Sequence, residues 1–239
     1  MSYRIHPFWK VEKLLSPQVS SQTSPHMNVT LLSHHIPKTA GSSLRLAFEA
    51  GLGRRMVYGI YENTGASAMS EGRDLWVPSK AEVLHGHFKP DENHKYIFPL
   101  ARRAVWVRDP IERVWSLVGH LLALKERHPH YLLLKASLPK ISFYSQEDIV
   151  KALILEDKVR AFTHAYANFF KSVSIENFEF VGSKHNYSDD LTKLSEMIGT
   201  NLKKFEVNRR TPRSQKLPVS LKQLEPYLQH EYSIVGEYL

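Results

Sequence analysis

The most informative absence in this sequence is cysteine, which does not occur once in 239 residues. Disulfide bonds and thiolate chemistry are therefore excluded, and a chain without disulfides is typical of the cytoplasm. No apolar run approaches the roughly 20 residues that a membrane-spanning helix needs. The segment Met1–Lys10 also lacks the apolar block of a secretory signal. We therefore expect a cytoplasmic protein without a membrane span.

Acidic residues are in deficit as well. The chain has 24 Asp and Glu against 32 Lys and Arg, which gives a formal net charge of +8. Such a charge fits nucleic acid, an anionic polysaccharide or a highly phosphorylated small molecule as a partner, and it equally fits a basic surface that only keeps the protein in solution. Repeats and low-complexity tracts are also missing. The length predicts an N-terminal arm over residues 1–27 and a single domain over residues 28–239.

Short apolar runs alternate with helical patterns along the chain. Strands are predicted at about 28–34, 56–61, 82–87, 103–108 and 178–181, with a strand or extended segment at 205–207. Helices are predicted at about 44–53, 111–127, 146–155, 158–170 and 188–198, with a last helical region, interrupted near Pro226, at 221–239. Residues 62–80 are expected to form a long loop, and residues 131–144 an irregular region. The alternation predicts an α/β fold with a mainly parallel sheet flanked by helices.

A loop of small residues joins the first strand to the first long helix. Backbone N–H groups at a helix N-terminus have no partner within the helix, and the helix dipole favours negative charge there. Lys38 adds a positive charge, while Thr39, Ser42 and Ser43 add hydroxyl groups. The loop therefore predicts a phosphate cradle. Its residues are Pro37, Lys38, Thr39, Ala40, Gly41, Ser42 and Ser43.

This loop lacks the lysine position of a conventional P-loop, which ends in Gly-Lys-Ser/Thr. Here Lys38 precedes Gly41 by three residues. No early strand ends in an acidic residue suited to magnesium, because Asp109 is better placed as a helix cap before Pro110. These departures disfavour an ordinary ATPase or GTPase.

A second candidate anion site follows the fourth strand. Arg108 leaves the strand end, and Ser116 lies two turns into the next helix. A guanidinium and a hydroxyl at this separation can converge on one anion. The alternative is an arginine paired with a neighbouring carboxylate and a serine on a solvated helix face.

The third strand ends in His85-Gly86-His87. Residues two apart on a strand face the same side, so both imidazoles can point toward the carboxyl ends of the strands, where ligands bind in such sheets. Gly86 permits close backbone approach. Two alternatives stay open: a histidine satisfied by backbone carbonyls, and a metal site, although no cysteine or clear third ligand accompanies the pair. We expect no metal.

The two anion-binding segments together resemble those of the sulfotransferases that use 3′-phosphoadenosine 5′-phosphosulfate (PAPS). In this family an Ile-Pro-Lys-Thr-Ala-Gly-Ser/Thr-Ser loop holds the 5′-phosphosulfate. An Arg-Asp-Pro-x-x-Arg-x-x-Ser segment holds the 3′-phosphate through its first arginine and its serine. Both occur here in the family's order, and Phe178-Glu179-Phe180-Val181-Gly182 is similar to a later family strand. The chain looks most like the branch of the heparan and uronyl 2-O-sulfotransferases, over about Val29 to Gly199.

The resemblance implies a P-loop-like three-layer fold and transfer of a sulfuryl group from PAPS to a hydroxyl, with 3′,5′-adenosine bisphosphate (PAP) as product. It implies that His87 is the catalytic base, that His85 supports substrate or orientation, and that Lys38 stabilises the leaving group. Pro37 to Ser43, Arg108 and Ser116 then bind the donor. A carbohydrate is the favoured acceptor, with no nucleic acid partner.

The chain departs from the family at Thr163-His164-Ala165-Tyr166-Ala167-Asn168, where many relatives carry Asp-Asn and Thr-Arg. Arg209, Arg210 and Arg213 can contact nucleotide or acceptor, or form a solvated basic loop. Acceptor identity and oligomeric state stay open. Two other functions also stay open: a nucleotide-dependent phosphotransferase with a divergent P-loop, and a non-catalytic polyanion-binding protein.

Overall fold

The apolar runs of the sequence form one five-stranded sheet in the computed structural model, which describes residues 6–16, 24–205 and 216–239. The strand order is β2-β3-β1-β4-β5, and the pairings β2–β3, β3–β1 and β1–β4 are parallel. The strands are β1 (Leu31–His34), β2 (Val57–Ile60), β3 (Val83–Gly86), β4 (Arg102–Val107) and β5 (Phe180–Ser183).

The register of β1 places the chemistry at one edge of this sheet. Its last residue, His34, lies opposite Gly86 of β3 and Val105 of β4. Parallel strands end at the same edge, so the loop after β1 and the residues after β3 leave the sheet side by side. The predicted loop and the predicted histidines are therefore neighbours.

Helices cover both faces of the sheet, as residue alternation along the strands requires. Leu31, Val57 and Val83 pack with α2 (Gly41–Leu52) and α10 (Tyr187–Ile198). Leu32, Tyr58 and Leu84 face the opposite core. That core includes side chains of α1 (Pro7–Leu15), α3 (Ala66–Ser70) and α4 (His94–Ile97). The predicted α/β fold, a central parallel sheet flanked by helices, is confirmed.

The chain divides into two compact units. The sheet, except for Val107 at the end of β4, belongs to the first unit, which comprises Met1–Trp106 and Phe169–Val207. The second unit, Val107–Asn168 and Asn208–Leu239, is helical in its described part and has its own apolar core. The prediction of a single domain over residues 28–239 stays a prediction. Helices of the second unit are α5 (Pro110–Leu124), α6 (Pro129–Ser137), α7 (Gln146–Leu155), α8 (Arg160–Thr163) and α11 (Gln229–Val235), and α9 (Ala165–Phe169) ends at the boundary.

The start of α5 follows the predicted capping chemistry. Asp109 accepts a 2.9 Å hydrogen bond from the Glu112 N–H, with Pro110 as the first residue of α5. Helix α7 has the predicted bounds. The helix predicted over 158–170 is wrong in one respect, because it is split into α8 and α9. Glu231 explains the split: its carboxylate accepts hydrogen bonds from the N–H groups of Tyr166 and Ala167 and so starts a new helix there.

Two segments predicted as loop or irregular contain short helices. The segment 62–80 holds a 3-10 turn, Glu62–Thr64, followed by α3, and the segment 131–144 holds most of α6. Phe205 is not in a strand, and residues 206–215, which include Arg209, Arg210 and Arg213, lie outside the described residues. Among the residues that are described, no helix has the length and apolar character of a membrane span. A cytoplasmic location stays a prediction.

Candidate functional site

The loop between β1 and α2 adopts an unusual backbone. Lys38 has φ of 78° and Ala40 has φ of 82°, both in the left-handed region that residues with a Cβ rarely occupy. Each such residue costs on the order of 1 kcal/mol or more, and residues of this kind cluster at ligand-binding and active sites. Turns that include left-handed residues also aim successive N–H groups into one concavity that binds anions. The backbone therefore adds to the sequence evidence for an anion cradle.

The start of α2 supplies further donors at this cradle. Ala40 occupies the N-cap position, and an alanine side chain has no oxygen with which to accept from the first N–H groups of the helix. Ser42 and Ser43 are partly buried in its first turn. Thr39 is fully buried, and its hydroxyl donates a 2.8 Å hydrogen bond to the Ile36 carbonyl. The Thr39 hydroxyl thus closes the loop, while its backbone lies in the cradle.

His85 is a buried and neutral member of the site. Its ring is completely buried, with Nδ1 2.9 Å from the Ser33 hydroxyl of the neighbouring strand. Burial, aided by the positive charge of Arg45 and the nearby His87, lowers the pKa of His85 to about 3 from the usual 6.5. A ring with so low a pKa is neutral at neutral pH, and the supporting role expected for His85 stays a prediction.

His87 lies one residue beyond β3 and is exposed, as a base that meets a substrate must be. Its Nε2 is 3.0 Å from Nδ1 of His35, and the two ring centroids are 4.5 Å apart. The Tyr61 ring packs against the same imidazole, with the two ring centroids 4.9 Å apart. His35 is a residue that our sequence reading left out of the site. His35 stands two residues before Pro37 of the predicted loop, and this closeness in sequence is the signal that could have identified it.

Two glycines allow close approach at this edge of the sheet. A Cβ on Gly86 would lie 1.7 Å from the Ile60 carbonyl oxygen of β2, so the close backbone approach expected at Gly86 is present. A Cβ on Gly41 would lie 2.1 Å from Cδ2 of His35. The His35 ring therefore rests directly on the first residue of α2. This contact joins the cradle to the histidines.

Arg45, on the second turn of α2, is a further residue that the sequence did not single out. It is close enough to His35 and His85 for its charge to lower the pKa of both imidazoles, after burial as the first cause. It also hydrogen-bonds Tyr61. Its Nε lies 3.5 Å from a Glu49 oxygen, and Lys38 is a second positive charge near enough to lower the pKa of His35.

Arg108 and Ser116 belong to the second unit. The Arg108 Nε donates to Glu112 at 3.0 Å, so the carboxylate pairing raised as an alternative does occur. A guanidinium carries five N–H donors in a planar arrangement that suits an anion. Ser116 is partly buried on α5. The donor set is thus one that can bind an anion.

The backbone of Arg108 is held by a buried tyrosine. The Tyr166 hydroxyl donates to the Arg108 carbonyl at 2.6 Å and accepts from the Arg108 N–H at 2.9 Å. Tyr166 is fully buried, and burial is the main cause that raises its pKa. It lies in the segment where the chain departs from the family pattern, so the departure has a structural use within this unit.

Buried charges surround this tyrosine. Arg113 is 2% exposed, donates to the Phe162 carbonyl and lies over the Tyr166 ring at 5.7 Å. Glu231 is 1% exposed and accepts from the N–H groups of Tyr166 at 3.0 Å and Ala167 at 2.9 Å. Burial raises the pKa of the Glu231 carboxyl. These residues fix the ring that holds Arg108, and sequence periodicity gave no sign of them.

Acidic and histidine side chains of the described residues form no group of three or more that could hold a metal ion. The first unit thus brings together the loop, His85 and His87, with His35 between them. The second unit contains Arg108 and Ser116.

Comparisons with known proteins were made against families, sequences and structures. No family model matches this chain. No curated protein matches its sequence. Among solved structures, a sulfotransferase from Alicyclobacillus acidocaldarius is similar over 88% of this chain and 95% of its own, with a TM-score of 0.46 and 12% identity. Mouse sulfotransferase SULT7A1, solved in complex with PAP, is similar over 87% of this chain and 66% of its own, with a TM-score of 0.40 and 10% identity.

Proposed function

We propose that this protein is a PAPS-dependent sulfotransferase that acts on a hydroxyl acceptor. The observation that carries the proposal is the juxtaposition at the ends of β1 and β3. A strained, lysine-bearing loop opens α2 there, next to an exposed histidine. One feature suits an anionic donor, and the other suits removal of a proton. The resemblance of both sequence segments to the sulfotransferase family supports the same function.

The donor is assigned to two sequence segments. Pro37 to Ser43 form the loop that binds the 5′-phosphosulfate, through the backbone N–H groups after Pro37, the hydroxyls of Ser42 and Ser43, and Lys38. Arg108 and Ser116 bind the 3′-phosphate. This second assignment rests on the family's Arg-Asp-Pro-x-x-Arg-x-x-Ser segment, which Arg108 to Ser116 match.

The reaction is an in-line displacement at sulfur. The acceptor oxygen forms a bond to sulfur while the bond from sulfur to the bridging phosphate oxygen breaks, and that oxygen keeps the electron pair. The acceptor proton passes to His87. Negative charge that develops on the leaving phosphate is stabilised by Lys38 and the loop N–H groups. The products are a sulfated acceptor and PAP.

The acceptor class is proposed from the resemblance as a carbohydrate. Other hydroxyl compounds, such as a lipid, a peptide tyrosine or a small molecule, are compatible with the same chemistry. Because the charge-stabilising groups assigned here are Lys38 and backbone N–H groups, the transfer is expected to proceed without magnesium.

Calorimetric titration with PAP and with 5′-AMP tests the donor assignment, because the two nucleotides differ in the 3′-phosphate. We expect PAP to bind at least about tenfold more tightly, which corresponds to about 1.4 kcal/mol. Arg108→Ala and Ser116→Ala should remove most of that preference. Arg127→Ala, which removes an exposed arginine of the same unit, should leave it unchanged. Equal affinity of the wild-type protein for both nucleotides would overturn the assignment.

A further inference from the structure

Three imidazole rings lie against one another at the ends of β1 and β3. The rings of His35 and His85 are stacked with centroids 5.4 Å apart, and His35 Nδ1 is 3.0 Å from His87 Nε2. His85 is completely buried, His35 is partly buried and His87 is exposed. His35 therefore stands between the buried part of the site and the predicted base.

The contact between His35 and His87 limits the protonation of both rings. Between two neutral imidazole nitrogens at this distance, one carries the hydrogen and the other accepts it. If His35 Nδ1 carried the hydrogen, the bond would use the Nε2 lone pair of His87, whose Nδ1 would then carry the ring hydrogen. His87 would have no lone pair left for a substrate proton. If His87 Nε2 carries the hydrogen, its Nδ1 retains a lone pair.

We propose that His35 is a positioning residue, which accepts a hydrogen bond from His87 Nε2–H and so holds His87 in the tautomer whose Nδ1 takes the acceptor proton. This inference rests on the proposed sulfuryl transfer. A base oriented by a third group is a recurrent arrangement in nucleophilic catalysis. One proton moves in this step, from the acceptor hydroxyl to His87 Nδ1. The hydrogen on His87 Nε2 stays where it is.

The surroundings of His35 suit an acceptor that stays neutral. Burial is the main cause that lowers the pKa of His35 well below 6.5, and His87, His85, Arg45 and Lys38 lower it further. A neutral His35 keeps its Nδ1 lone pair when His87 becomes positively charged. The hydrogen bond between them then becomes charge-assisted and stronger, so it stabilises His87 in the state that follows proton transfer.

The loop fixes the ring of His35 in this position. A Cβ on Gly41 would lie 2.1 Å from Cδ2 and 2.2 Å from Nε2 of His35, so the ring lies flush against the first residue of α2. Stacking on His85 restrains the ring as well. The element that binds the leaving phosphate therefore also positions the partner of the base.

Nitrogen-15 NMR of the imidazole groups tests the tautomer without any substrate. The wild-type protein should show His87 with its hydrogen on Nε2. In His35→Leu, which removes the acceptor, His87 should become a mixture of tautomers and take up its proton at lower pH. His35→Asn retains an acceptor oxygen and should preserve much of the wild-type behaviour. His185→Ala, at an exposed histidine, is the matched control.

Kinetics of sulfuryl transfer provide the second readout. In His35→Leu, kcat should fall about tenfold. This is a part of the rate enhancement of about 10²–10⁴-fold that a positioned general base supplies. The KM for PAPS and the affinity for PAP should stay within twofold, roughly, because His35 is assigned no donor contact. The acid limb of the pH–rate profile should move with the NMR titration of His87. His35→Asn should recover most of the rate.

The two readouts separate this inference from the proposed function. A wild-type His87 with its hydrogen on Nδ1, or one whose tautomer is unaltered in His35→Leu, overturns the inference. If His35→Leu does not fold, the wild-type tautomer and His35→Asn decide the matter. Failure of the wild-type protein to prefer PAP or to use PAPS would overturn the proposed function instead, whatever the NMR result.

Discussion

Each of the two units contains a candidate anion-binding segment, and the two segments differ in construction. In the first unit, the cradle and His87 lie at the ends of adjacent parallel strands, and the strained backbone at Lys38 and Ala40 shapes the loop. In the second unit, Arg108 lies at a strand-to-helix turn, and a completely buried tyrosine holds its backbone at both N–H and carbonyl. Strand geometry positions the first segment, and buried polar contacts position the second.

This difference has a physical consequence for robustness. Neighbouring strand backbones in the first unit must approach each other closely. The first segment is therefore sensitive to a side chain added between the strands. Contacts made by buried polar side chains depend on complete hydrogen bonding, because an unsatisfied buried polar group costs about 1–3 kcal/mol. The second segment should therefore be sensitive to removal of a single polar atom.

The largest effect is expected from added volume in the first unit. In Gly86→Ala, the new Cβ would lie 1.7 Å from the Ile60 carbonyl oxygen, a backbone atom that cannot yield without separating β2 from β3. We expect a loss of about 3 kcal/mol or more, or failure to fold. Urea unfolding measures the loss.

Gly236→Ala is the control for that variant. A Cβ there meets no atom of the described residues within 4 Å. It should alter the free energy of unfolding by less than about 1 kcal/mol. Similar stability of the two variants would contradict the account of the β2–β3 contact.

Next in size is the effect of removing the base. His87→Ala should lower kcat about 10²–10⁴-fold, because the acceptor oxygen then has to lose its proton without a positioned acceptor. Rates with a responsive hydroxyl acceptor and calorimetric PAP affinity are the two measurements. His87 is exposed, and its removal should leave PAP affinity nearly unaltered. Full activity of the variant would place the base elsewhere.

A smaller effect is expected from one oxygen atom in the second unit. Tyr166→Phe removes both hydrogen bonds to the Arg108 backbone and leaves the ring in place. We expect the preference for PAP over 5′-AMP to fall about tenfold, or about 1.4 kcal/mol. The control Tyr227→Phe lies at a 56% exposed position and should have no effect. Loss of stability with an unaltered preference would show that Tyr166 serves the fold alone.

Stability should also respond to pH through His85. The pKa of His85 is about 3 in the folded protein and 6.5 as its ordinary value. Between these pH values the unfolded chain binds a proton that the folded protein does not, so stability falls as pH falls. At pH values well below 6.5 and above 3, His85 lowers the free energy of unfolding by about 1.4 kcal/mol for each pH unit of acidification. The pKa values of His34 and His35 are also lowered, which adds slope of the same sign.

His85→Asn should reduce that slope by one histidine's contribution. Urea unfolding of the variant and the wild-type protein at several pH values between about 4 and 6.5 measures the difference. An identical slope in both proteins would show that His85 does not stay neutral in the folded state.

Local signals predicted much of the fold and part of the site. The Asp109-Pro110 pair marks a helix start, and the alternating runs mark strands, because each depends on neighbours in sequence. The same local chemistry identified the loop and the His85–His87 pair. His35 and Tyr166 were missed because their roles depend on partners 52 and 58 residues away. A long-range contact of this kind leaves no periodicity in the sequence.

The split between α8 and α9 was missed for the same reason. Glu231, which caps α9, lies 65 residues from Tyr166. Burial also decides roles that residue type does not. His85 and His87 look alike in sequence, yet one is completely buried and the other is exposed.

Transfer of a labelled group to a common pool of hydroxyl acceptors tests the central claim most directly. The protein would be incubated with PAPS labelled in sulfur and, separately, with ATP labelled in the γ-phosphate plus magnesium. The pool would contain carbohydrates, tyrosine peptides and small phenols. We predict label transfer from PAPS, without magnesium and dependent on His87, and none from ATP. Label transfer from ATP with magnesium, and none from PAPS, would contradict the account and identify a phosphotransferase.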